Sequence, residues 1–500
     1  METLELLGQG FGTAFTPFNL SLIFVGVVIG QIVGTLPGIG PAAGMALLLP
    51  LTFGLPPVSA IMMLAGIMYG GQYGGTLTSV LVNVPGESAS VMTAVDGYQI
   101  ARRGRAGAAL SVAAIGSFLA GLAACAAVVF VTPPLSEFAL RFNAPEYFLL
   151  ATLGITATAS LGGASAAKAM IAALFGLMIA LVGVDPIAGT PRLTFGFVDL
   201  VEGIDFLPVA IGIFGIAEVL SSLERAQELQ PIRARLRDMW LSAQEWAESR
   251  MAIARGALVG FFVGIMPGAG PTIASMMAYV TERRFSRRPE RFGKGAIDAV
   301  AAAEAANNAA AHGACIPMLA LGIPGSASTA VLLAALILHG IRPGPMLMTE
   351  QAQLVWGLIA SMFVGNVMLL IINLPLAPLF ASLLRIPYVY LAPGILIISL
   401  VGAYASTLDD TTIWICLVFG LVGWLMMKLD IPRAPMVLAL VLAPLLEVSL
   451  RQSLLLSFGS LAIFVERPLS AFLLCLVVIS LVLPVVGEVR RRVRLSQTHT

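Results

Sequence analysis

The chain has 500 residues, of which 58% are hydrophobic and only 11% are charged, and its mean hydropathy is +0.94. Soluble domains carry about 25% charged residues, so this composition excludes a water-soluble globular protein and predicts a polytopic membrane protein. The net charge of +1 gives no reason to expect a nucleic-acid partner. The four cysteines stand singly in apolar segments and match neither a metal-ligand spacing nor a disulfide framework.

Apolar segments long enough to enter a bilayer follow one another along the chain. In order, they cover residues 19–50, 57–83, 106–132, 147–163, 165–184, 205–222, 251–280, 296–340, 351–375, 386–403, 411–428, 433–449 and 469–486. The acidic start METLELLGQG lacks the basic region of a signal peptide, so we expect the first segment to belong to the mature protein. The sequence predicts an all-α polytopic membrane protein with about 11–12 transmembrane segments.

The first apolar segment is broken by GTLPGIGP at residues 34–41, and a matching GIMPGAGP occurs at residues 264–271. Three further pairs follow at similar offsets: NVPGESAS with GIPGSAST, FALRFNAPEYFLLA with FASLLRIPYVYLA, and IAEVLSSL with LLEVSLRQ. Matches in the same order at nearly constant spacing indicate an internal duplication. We predict membrane repeats at 1–222 and 251–453, a polar linker at 223–250, and an extra C-terminal transmembrane helix with a basic tail at 454–500.

Corresponding loops of the two halves carry opposite charge bias. LTFGLPP in the first half corresponds to TERRFSRRPERFGKG in the second, and DGYQIARRGRAG corresponds to HGIRPGPMLMTEQAQ. Because Lys and Arg favour the cytoplasmic side, the reversal predicts two inverted structural repeats. The linker and the tail EVRRRVRL would then be cytoplasmic, and the acidic loop VGVDPIAGTPRLTFGFVDLVEGID would face outward. This topology requires re-entrant hairpins at 19–50 and 251–280; a full crossing at 19–36 is the alternative that the sequence leaves open.

The paired helix breaks are the candidate substrate site. Non-helical backbone survives inside a bilayer only where protein or a polar cavity satisfies it, and inverted pairs of broken helices are typical of transporters that bind substrate between repeats. Half-helix N-termini present free N–H groups to an anion, and nearby hydroxyls can bind a carboxylate or a cation. The candidate substrate-binding residues are Gly38, Gly40, Asn83, Gly86, Ser88, Ser90, Gly268, Gly270, Gly325, Ser326 and Ser328. The alternative is that these glycines and prolines only permit close helix crossings.

EAANNAAAHGA, which begins at Glu304, places an acid and two amides among alanines. Glu304 and Asn308 are one turn apart and share a helix face, and such groups inside a membrane indicate function. The candidate ion-coupling residues are Glu304, Asn307, Asn308, Tyr73, Gln72 and Thr329. The alternative is an interhelical hydrogen-bond network. For His312, a structural role is favoured over a role as a proton carrier.

The motifs of an enzyme are missing from the sequence. It contains neither an HExxH zinc motif nor a P-loop, so we predict no catalytic residues, no metal site and no cofactor beyond a coupling ion, Na⁺ or H⁺. The alternatives to a carrier are a passive channel and a scaffold subunit that transports nothing. A channel would show charged rings or a filter repeated around a symmetric oligomer, whereas here the symmetry lies within one chain, which favours a carrier.

Several longer stretches resemble one known family. GTLPGIGPAAGMALLLPLTFGLPP, MYGGQYGGTLTSVLVNVPGESASVMTAVDGY, GRAGAALSVAAIGSFLAG, FLPVAIGIFGIAEVL, GIMPGAGPTIASMMAY and EAANNAAAHGACIPMLALGIPGSASTAVLLAAL together resemble the large membrane subunit of the tripartite tricarboxylate transporters, the TctA family. The resemblance runs from about residue 19 to residue 455 and includes VLAPLLEVSLRQSL. His312 departs from it, because a small residue, often glycine, is expected there.

The resemblance implies a multi-pass subunit of the bacterial inner membrane, embedded in lipid. It also implies two protein partners, a small four-helix membrane subunit and a periplasmic solute-binding protein that delivers a carboxylate. Uptake would be driven by a sodium or proton gradient, as symport. Which carboxylate is carried is left open, since citrate, other di- and tricarboxylates and aromatic acids would satisfy the same helix dipoles.

Overall fold

A computed structural model of the chain describes residues 2–36, 39–161, 165–185, 188–224, 232, 236–384, 386 and 388–497. The first half contains helices α1 (Glu2–Ala14), α2 (Pro17–Thr35), α3 (Gly40–Leu48), α4 (Pro57–Val82), α5 (Val91–Ile100), α6 (Ala106–Ala139), α7 (Ala144–Leu161), α8 (Ala166–Ala180), α9 (Phe206–Ala210) and α10 (Ala217–Glu224). Short 3₁₀ turns cover Leu49–Thr52 and Ser88–Ser90, and π-helical turns cover Ala101–Arg105 and Ile211–Ile216.

The second half is also helical. Its helices are α11 (Ala243–Ile265), α12 (Gly270–Phe285), α13 (Ile297–Gly313), α14 (Cys315–Leu321), α15 (Ala327–Leu338), α16 (Leu347–Glu350), α17 (Ala352–Asn373), α18 (Ala377–Leu383), α19 (Tyr388–Thr407), α20 (Thr411–Lys428), α21 (Ala434–Leu456), α22 (Ile463–Glu466) and α23 (Pro468–Gln497). Two 3₁₀ turns cover Leu236–Met239 and Pro289–Arg291.

The predicted all-α polytopic class is confirmed. Six described segments are long and apolar enough to cross a membrane, and they are Pro17–Thr35, Ser88–Ala139, Phe206–Glu224, Ala352–Asn373, Thr411–Lys428 and Ala434–Leu456. Shorter apolar helices cover Gly40–Thr52, Ala166–Ala180, Ala327–Leu338, Val389–Ala405 and Pro468–Val482. Among the described residues, the only strands are β1 (Gly183–Val184) and β2 (Pro191–Arg192), an antiparallel pair inside the acidic loop.

Helix α11 begins at Ala243, within the predicted linker rather than at 251. A capping box starts it there, because Ser242 Oγ accepts a hydrogen bond of 3.2 Å from Glu245 N and Glu245 Oε2 accepts one of 2.7 Å from Ser242 N. Helix α11 therefore carries a polar first turn directly into the apolar segment that precedes the second helix break.

Glycines at every fourth position let α2 pack on α4 and α11 pack on α13 at backbone contact. A Cβ on Gly30 would lie 2.3 Å from Ile67 O, and one on Gly260 would lie 2.3 Å from Ala306 O. The same approach recurs one turn before and after, at Gly26, Gly34, Gly256 and Gly264, where the Cβ would lie 2.2 to 2.5 Å from a facing carbonyl oxygen. Small residues at this spacing are the usual device for close helix contact in membranes.

The centre of the molecule is formed by α4 and α13. Every residue of α13 except Asp298 is buried, and α4 is buried from Ser59 to Leu81. Helix α13 packs against α6, α11 and α12, and α4 packs against α2, α3 and α17. Polar side chains of these two helices therefore meet protein rather than lipid.

Candidate functional site

Both Pro-Gly-x-Gly-Pro motifs lie between the end of one helix and the start of the next. In the first, α2 ends at Thr35 and α3 begins at Gly40; in the second, α11 ends at Ile265 and α12 begins at Gly270. Gly40 and Gly270 each have φ of +62°, a left-handed conformation that glycine adopts without steric cost. The predicted break of each helix is therefore confirmed, and each motif ends with a new helix N-terminus.

Glycine is required at position 268 by contact as well as by conformation. Gly268 has φ of +79°, and a Cβ there would lie 2.0 Å from Thr158 Oγ1 and 2.5 Å from Thr158 N. Helix α7, which carries Thr158, thus closes over the second break. The corresponding candidate of the first motif, Gly38, lies outside the described residues.

The second pair of motifs ends one helix and starts another in both halves. Helix α4 ends at Asn83, with φ of 58°, and α14 ends at Gly322, with φ of 71°. A capping box then begins each new helical turn. In the first half it joins Glu87 to Ser90, and in the second it joins Ser326 to Thr329, whose side chain accepts from Ser326 N at 2.8 Å. Ser90 and Thr329 are fully buried in these caps.

Gly86 and Gly325 bring the two kinds of motif into contact within each half. A Cβ on Gly86 would lie 2.3 Å from Gly34 O, and a Cβ on Gly325 would lie 3.1 Å from Gly264 O. These two glycines let their own backbone approach the last turns of α2 and α11 closely. Neither glycine lines the cavity that the motifs surround.

A cavity of about 810 Å³ lies between the broken motifs of the two halves. Seven of the predicted site residues line it: Gly40, Gln72, Ser88, Gly268, Gly270, Ser326 and Ser328. Contacts between the halves run along its wall, because Ser88 Oγ lies 2.8 Å from Thr272 Oγ1 and Ser275 Oγ donates to Ala89 O at 2.7 Å. The first turns of α3, α12 and α15 all contribute to the lining, so the cavity receives several helix N-termini at once.

A carboxylate held by two amides forms one wall of this cavity. Asn307 Nδ2 donates to Glu87 Oε1 at 3.2 Å. The Gln72 amide is oriented from its neighbours, because only one orientation lets its nitrogen donate to Glu87 Oε1 at 2.6 Å and to Asn307 Oδ1 at 2.6 Å. Gln72 and Asn307 were predicted as ion-coupling residues. Glu87 stands within NVPGESAS, one of the paired breaks predicted to form the substrate site, but no specific binding role was predicted for it.

Glu304 and Asn308 lie behind this wall, in the protein interior. Thr93 Oγ1 donates to Glu304 Oε1, and Asn308 Nδ2 donates to Ser117 Oγ at 2.7 Å. Thr76 also faces the Glu304 carboxyl. Glu304 Oε2 and Asn308 Oδ1 are nevertheless buried acceptor atoms that receive no hydrogen bond. An unmet buried acceptor costs about 1–3 kcal/mol. In the described part of the chain, no three His, Cys, Asp or Glu side chains converge as metal ligands.

The remaining candidates lie away from the cavity. Tyr73 OH donates to Asn366 Oδ1 at 3.0 Å and so joins α4 to α17, while Asn83 caps α4 at an exposed position. His312 stacks on Tyr69 at 4.8 Å, and its Nδ1 lies 2.7 Å from Asn308 O. Its position beside Asn308 places the histidine next to the buried acceptor pair rather than in the cavity.

The predicted site residues did not include the lining residues Thr158, Phe214, Thr272 and Arg433. Arg433 stands in IPRAP at the predicted start of an apolar segment, where an arginine ordinarily marks a membrane interface. Phe214 belongs to the π-helical turn Ile211–Ile216, for which the sequence holds no signal beyond two glycines. Thr272 directly follows GIMPGAGP, so extending the motif by one residue would have included it.

A polytopic helical protein in which paired broken helices surround a cavity has an architecture typical of membrane transporters. The profile of the tripartite tricarboxylate transporter TctA family matches residues 20–438. The chain therefore belongs to this family, as its resemblance to the large membrane subunit indicated.

Two relatives from Agrobacterium vitis are similar to this chain. The "Uncharacterized 52.8 kDa protein in TAR-I ttuC' 3'region" is 43% identical over 492 residues, which cover 98% of each chain. The "Uncharacterized protein in TAR-II ttuC' 3'region" is 40% identical over 233 residues, which are 47% of this chain and 96% of that protein.

Proposed function

We propose that this chain is the translocating subunit of a binding-protein-dependent secondary transporter, which imports organic di- or tricarboxylates as symport with Na⁺ or H⁺. The observation that carries the proposal is the cavity of about 810 Å³ between the two broken motifs. Its volume falls within the range of about 300–1,000 Å³ that is usual for small-ligand sites.

The chemistry of the lining fits an anion. Helix N-termini leave up to four backbone N–H groups without intrahelical acceptors, and their dipoles favour negative charge. The hydroxyls of Ser88, Ser326 and Thr272 stand beside these N-termini and add donors. Carboxylate oxygens would replace the water that otherwise satisfies these groups.

The coupling cation is proposed to bind at Glu304 and Asn308. Their two unmet acceptors are one helical turn apart on the buried helix α13, and a cation or a proton would satisfy both. Asn307, on the same helix, contacts Glu87 in the cavity wall. Helix α13 thus connects the proposed cation site to the proposed carboxylate site, which is the physical requirement for coupling.

The family and the charge pattern support a proposed arrangement in the cell. We propose two inverted repeats in the bacterial inner membrane, one part of each repeat moving against the rest, and a cytoplasmic C-terminus. The partners would be a small four-helix membrane subunit and a periplasmic solute-binding protein. The matched backbone at Gly40 and Gly270, 230 residues apart, supports the duplication.

The test is uptake of radiolabelled succinate, malate and citrate into vesicles that hold this chain and its small membrane partner. The binding protein is added or omitted, and a Na⁺ or proton gradient is imposed or collapsed. Uptake that requires the binding protein and one gradient would support the proposal. Equal flux in both directions, indifferent to either, would instead identify a passive pore.

The variant Gly268→Ala tests the site itself, because the added Cβ would lie 2.0 Å from Thr158 Oγ1 at the cavity wall. Gly12→Ala is the matched control, since nothing lies within 4 Å of a Cβ there. We expect uptake to be lost in the first variant and retained in the second at equal amounts in the membrane. Full uptake by Gly268→Ala would mean that the second helix break is not part of the substrate site.

A further inference from the structure

Arg433 carries the only cationic side chain among the described residues that line the cavity, and Glu87 carries the only anionic one. Arg433 is the N-cap residue of α21 and belongs to a segment that lines the cavity from Ile431 to Pro435. The arginine side chain is 20% exposed, so its charge is largely removed from bulk water without being sealed off.

Two elements hold the guanidinium in place. Arg433 Nη1 donates to Ile213 O at 3.0 Å, and Nη2 donates to Glu218 Oε2 at 3.0 Å. The guanidinium carbon also lies 5.6 Å from the centroid of the Phe214 ring, within the range of a cation–π contact. The side chain is therefore fixed in orientation before any ligand arrives.

The backbone acceptor of Arg433 depends on the π-helical turn Ile211–Ile216. Ala217 N donates to Gly212 O, five residues back, instead of to the carbonyl four residues back. This change of spacing leaves Ile213 O to accept from Arg433. Such turns are rare and are frequent at functional sites, and this one lies at the cavity wall.

The guanidinium retains donor capacity. It has five N–H groups, and the described contacts are one bond to Ile213 and one to Glu218. Arg is suited to carboxylate because its planar fork can make two parallel hydrogen bonds. A cavity that also receives helix N-termini can thus bind two carboxylate groups at separate places.

We propose that Arg433 binds one carboxylate of a substrate with at least two, and that the helix N-termini at Gly40 and Gly270 bind another. This inference rests on the proposed function and adds the residue that favours dicarboxylates over monocarboxylates. Glu218 and Ile213 are positioning residues, because they accept hydrogen bonds from the guanidinium and do not themselves line the cavity.

The experiment measures binding of succinate, succinamate and citrate to the purified full chain by calorimetry. Succinamate carries one carboxylate and one amide, so the difference between succinate and succinamate binding measures the contribution of the second carboxylate. We expect Arg433→Gln to weaken succinate at least tenfold and succinamate less than threefold, and Arg433→Lys to recover part of the loss. Glu218→Gln should weaken succinate less than Arg433→Gln does.

Arg255→Gln is the control for loss of an ion pair, because Arg255 binds Glu282 through two bonds of 2.7 Å outside the cavity lining. Equal weakening of succinate and succinamate by Arg433→Gln, or no weakening, would overturn the inference while leaving the carboxylate site in place. If Arg433→Gln does not fold, the same comparison is made with Arg433→Lys, which should weaken succinate more than succinamate. A wild-type chain that binds none of the three probes would overturn the proposed function instead.

Discussion

Asn307 donates a hydrogen bond of 3.2 Å to Glu87 although the two residues lie 220 positions apart in the chain. Asn307 belongs to the fully buried face of α13, and Glu87 starts the 3₁₀ turn that lines the cavity. The contact joins the second helix break of the first half to the central helix of the second half. Any movement of one half against the other must break or carry this hydrogen bond.

Glu87→Gln should strengthen the binding of dicarboxylates. The substitution removes the ionisable carboxyl from the cavity wall. A negative charge about 8 Å from an anion repels it by about 2 kcal/mol at an effective dielectric constant of 20, so we expect a gain in affinity of up to about thirtyfold. Calorimetry with succinate measures it. Asn307→Ala, which removes the donor but keeps the charge, is the control, and weaker binding by Glu87→Gln would contradict the prediction.

Gly34→Ala and Gly264→Ala should destabilise the protein strongly. Each added Cβ would lie within 2.5 Å of a carbonyl oxygen, of Gly71 in the first case and of Ala310 in the second. Overpacking of this kind costs about 1–3 kcal/mol or more, because two backbones must separate. Thermal unfolding in detergent measures the effect, with Gly8→Ala as the control, where a Cβ would meet nothing within 4 Å. Unchanged melting temperatures would mean that these helix pairs are less tightly packed.

Glu304→Gln should abolish a stabilisation that depends on the coupling cation. A cation that binds only the folded state at 100 times its Kd adds about 2.7 kcal/mol. If the ion is Na⁺, we expect the wild-type protein to have a higher melting temperature in NaCl than in choline chloride. If the ion is a proton, we expect its melting temperature to change with pH instead. Asn308→Ala should lose the same shift.

Asn373→Ala is the control for that experiment. Asn373 is equally buried, but it exchanges two amide hydrogen bonds with Gln31, at 2.9 and 3.1 Å, and leaves no acceptor unmet. The variant should melt lower than wild type and keep the cation-dependent shift. A full shift in Glu304→Gln would exclude this carboxyl as the cation site.

Glu245→Gln should destabilise the protein in a pH-dependent way. Burial raises the pKa of Glu245, but hydrogen bonds from Arg105 and Ser242 outweigh it, so the pKa is lowered. A lowered pKa gives stability that is present above the ordinary value of about 4.3 and is lost as the pH falls through the folded-state value. The pair is partly exposed, and we expect a cost of about 0.5 kcal/mol at pH 7.

Ser242→Ala is the comparison for this ion pair. It removes the helix cap at a cost of about 1 kcal/mol but keeps the Glu245 charge and its pairing with Arg105, so its effect should vary less between pH 7 and pH 4 than that of Glu245→Gln. Denaturation curves across this pH range measure both variants. A pH-independent cost for Glu245→Gln would show that the Arg105 pair contributes nothing to stability.

The sequence predicted the helix breaks at Gly40 and Gly270 because glycine and proline act on the backbone of their own neighbourhood. The glycine spacing GVVIGQIVG in α2, with GALVGFFVG in α11, could have predicted the two close helix contacts, since small residues four apart are a known signal. Glu87 stood inside a motif predicted to line the site, yet its partners Gln72 and Asn307 come from two other helices, so its hydrogen bonds could not be read from the motif.

By itself, the sequence determined the membrane class, the family, the paired breaks and seven residues of the cavity lining. These follow from composition and from local backbone chemistry, which need no knowledge of distant neighbours. Only the tertiary structure decided that Arg433 enters the cavity, that Tyr73 joins α4 to α17, and that Glu304 lies behind the wall while Glu87 forms it. The physical reason is that side-chain burial and hydrogen-bond partners depend on which helices meet, and contacts across more than 200 residues leave no periodic trace in the sequence.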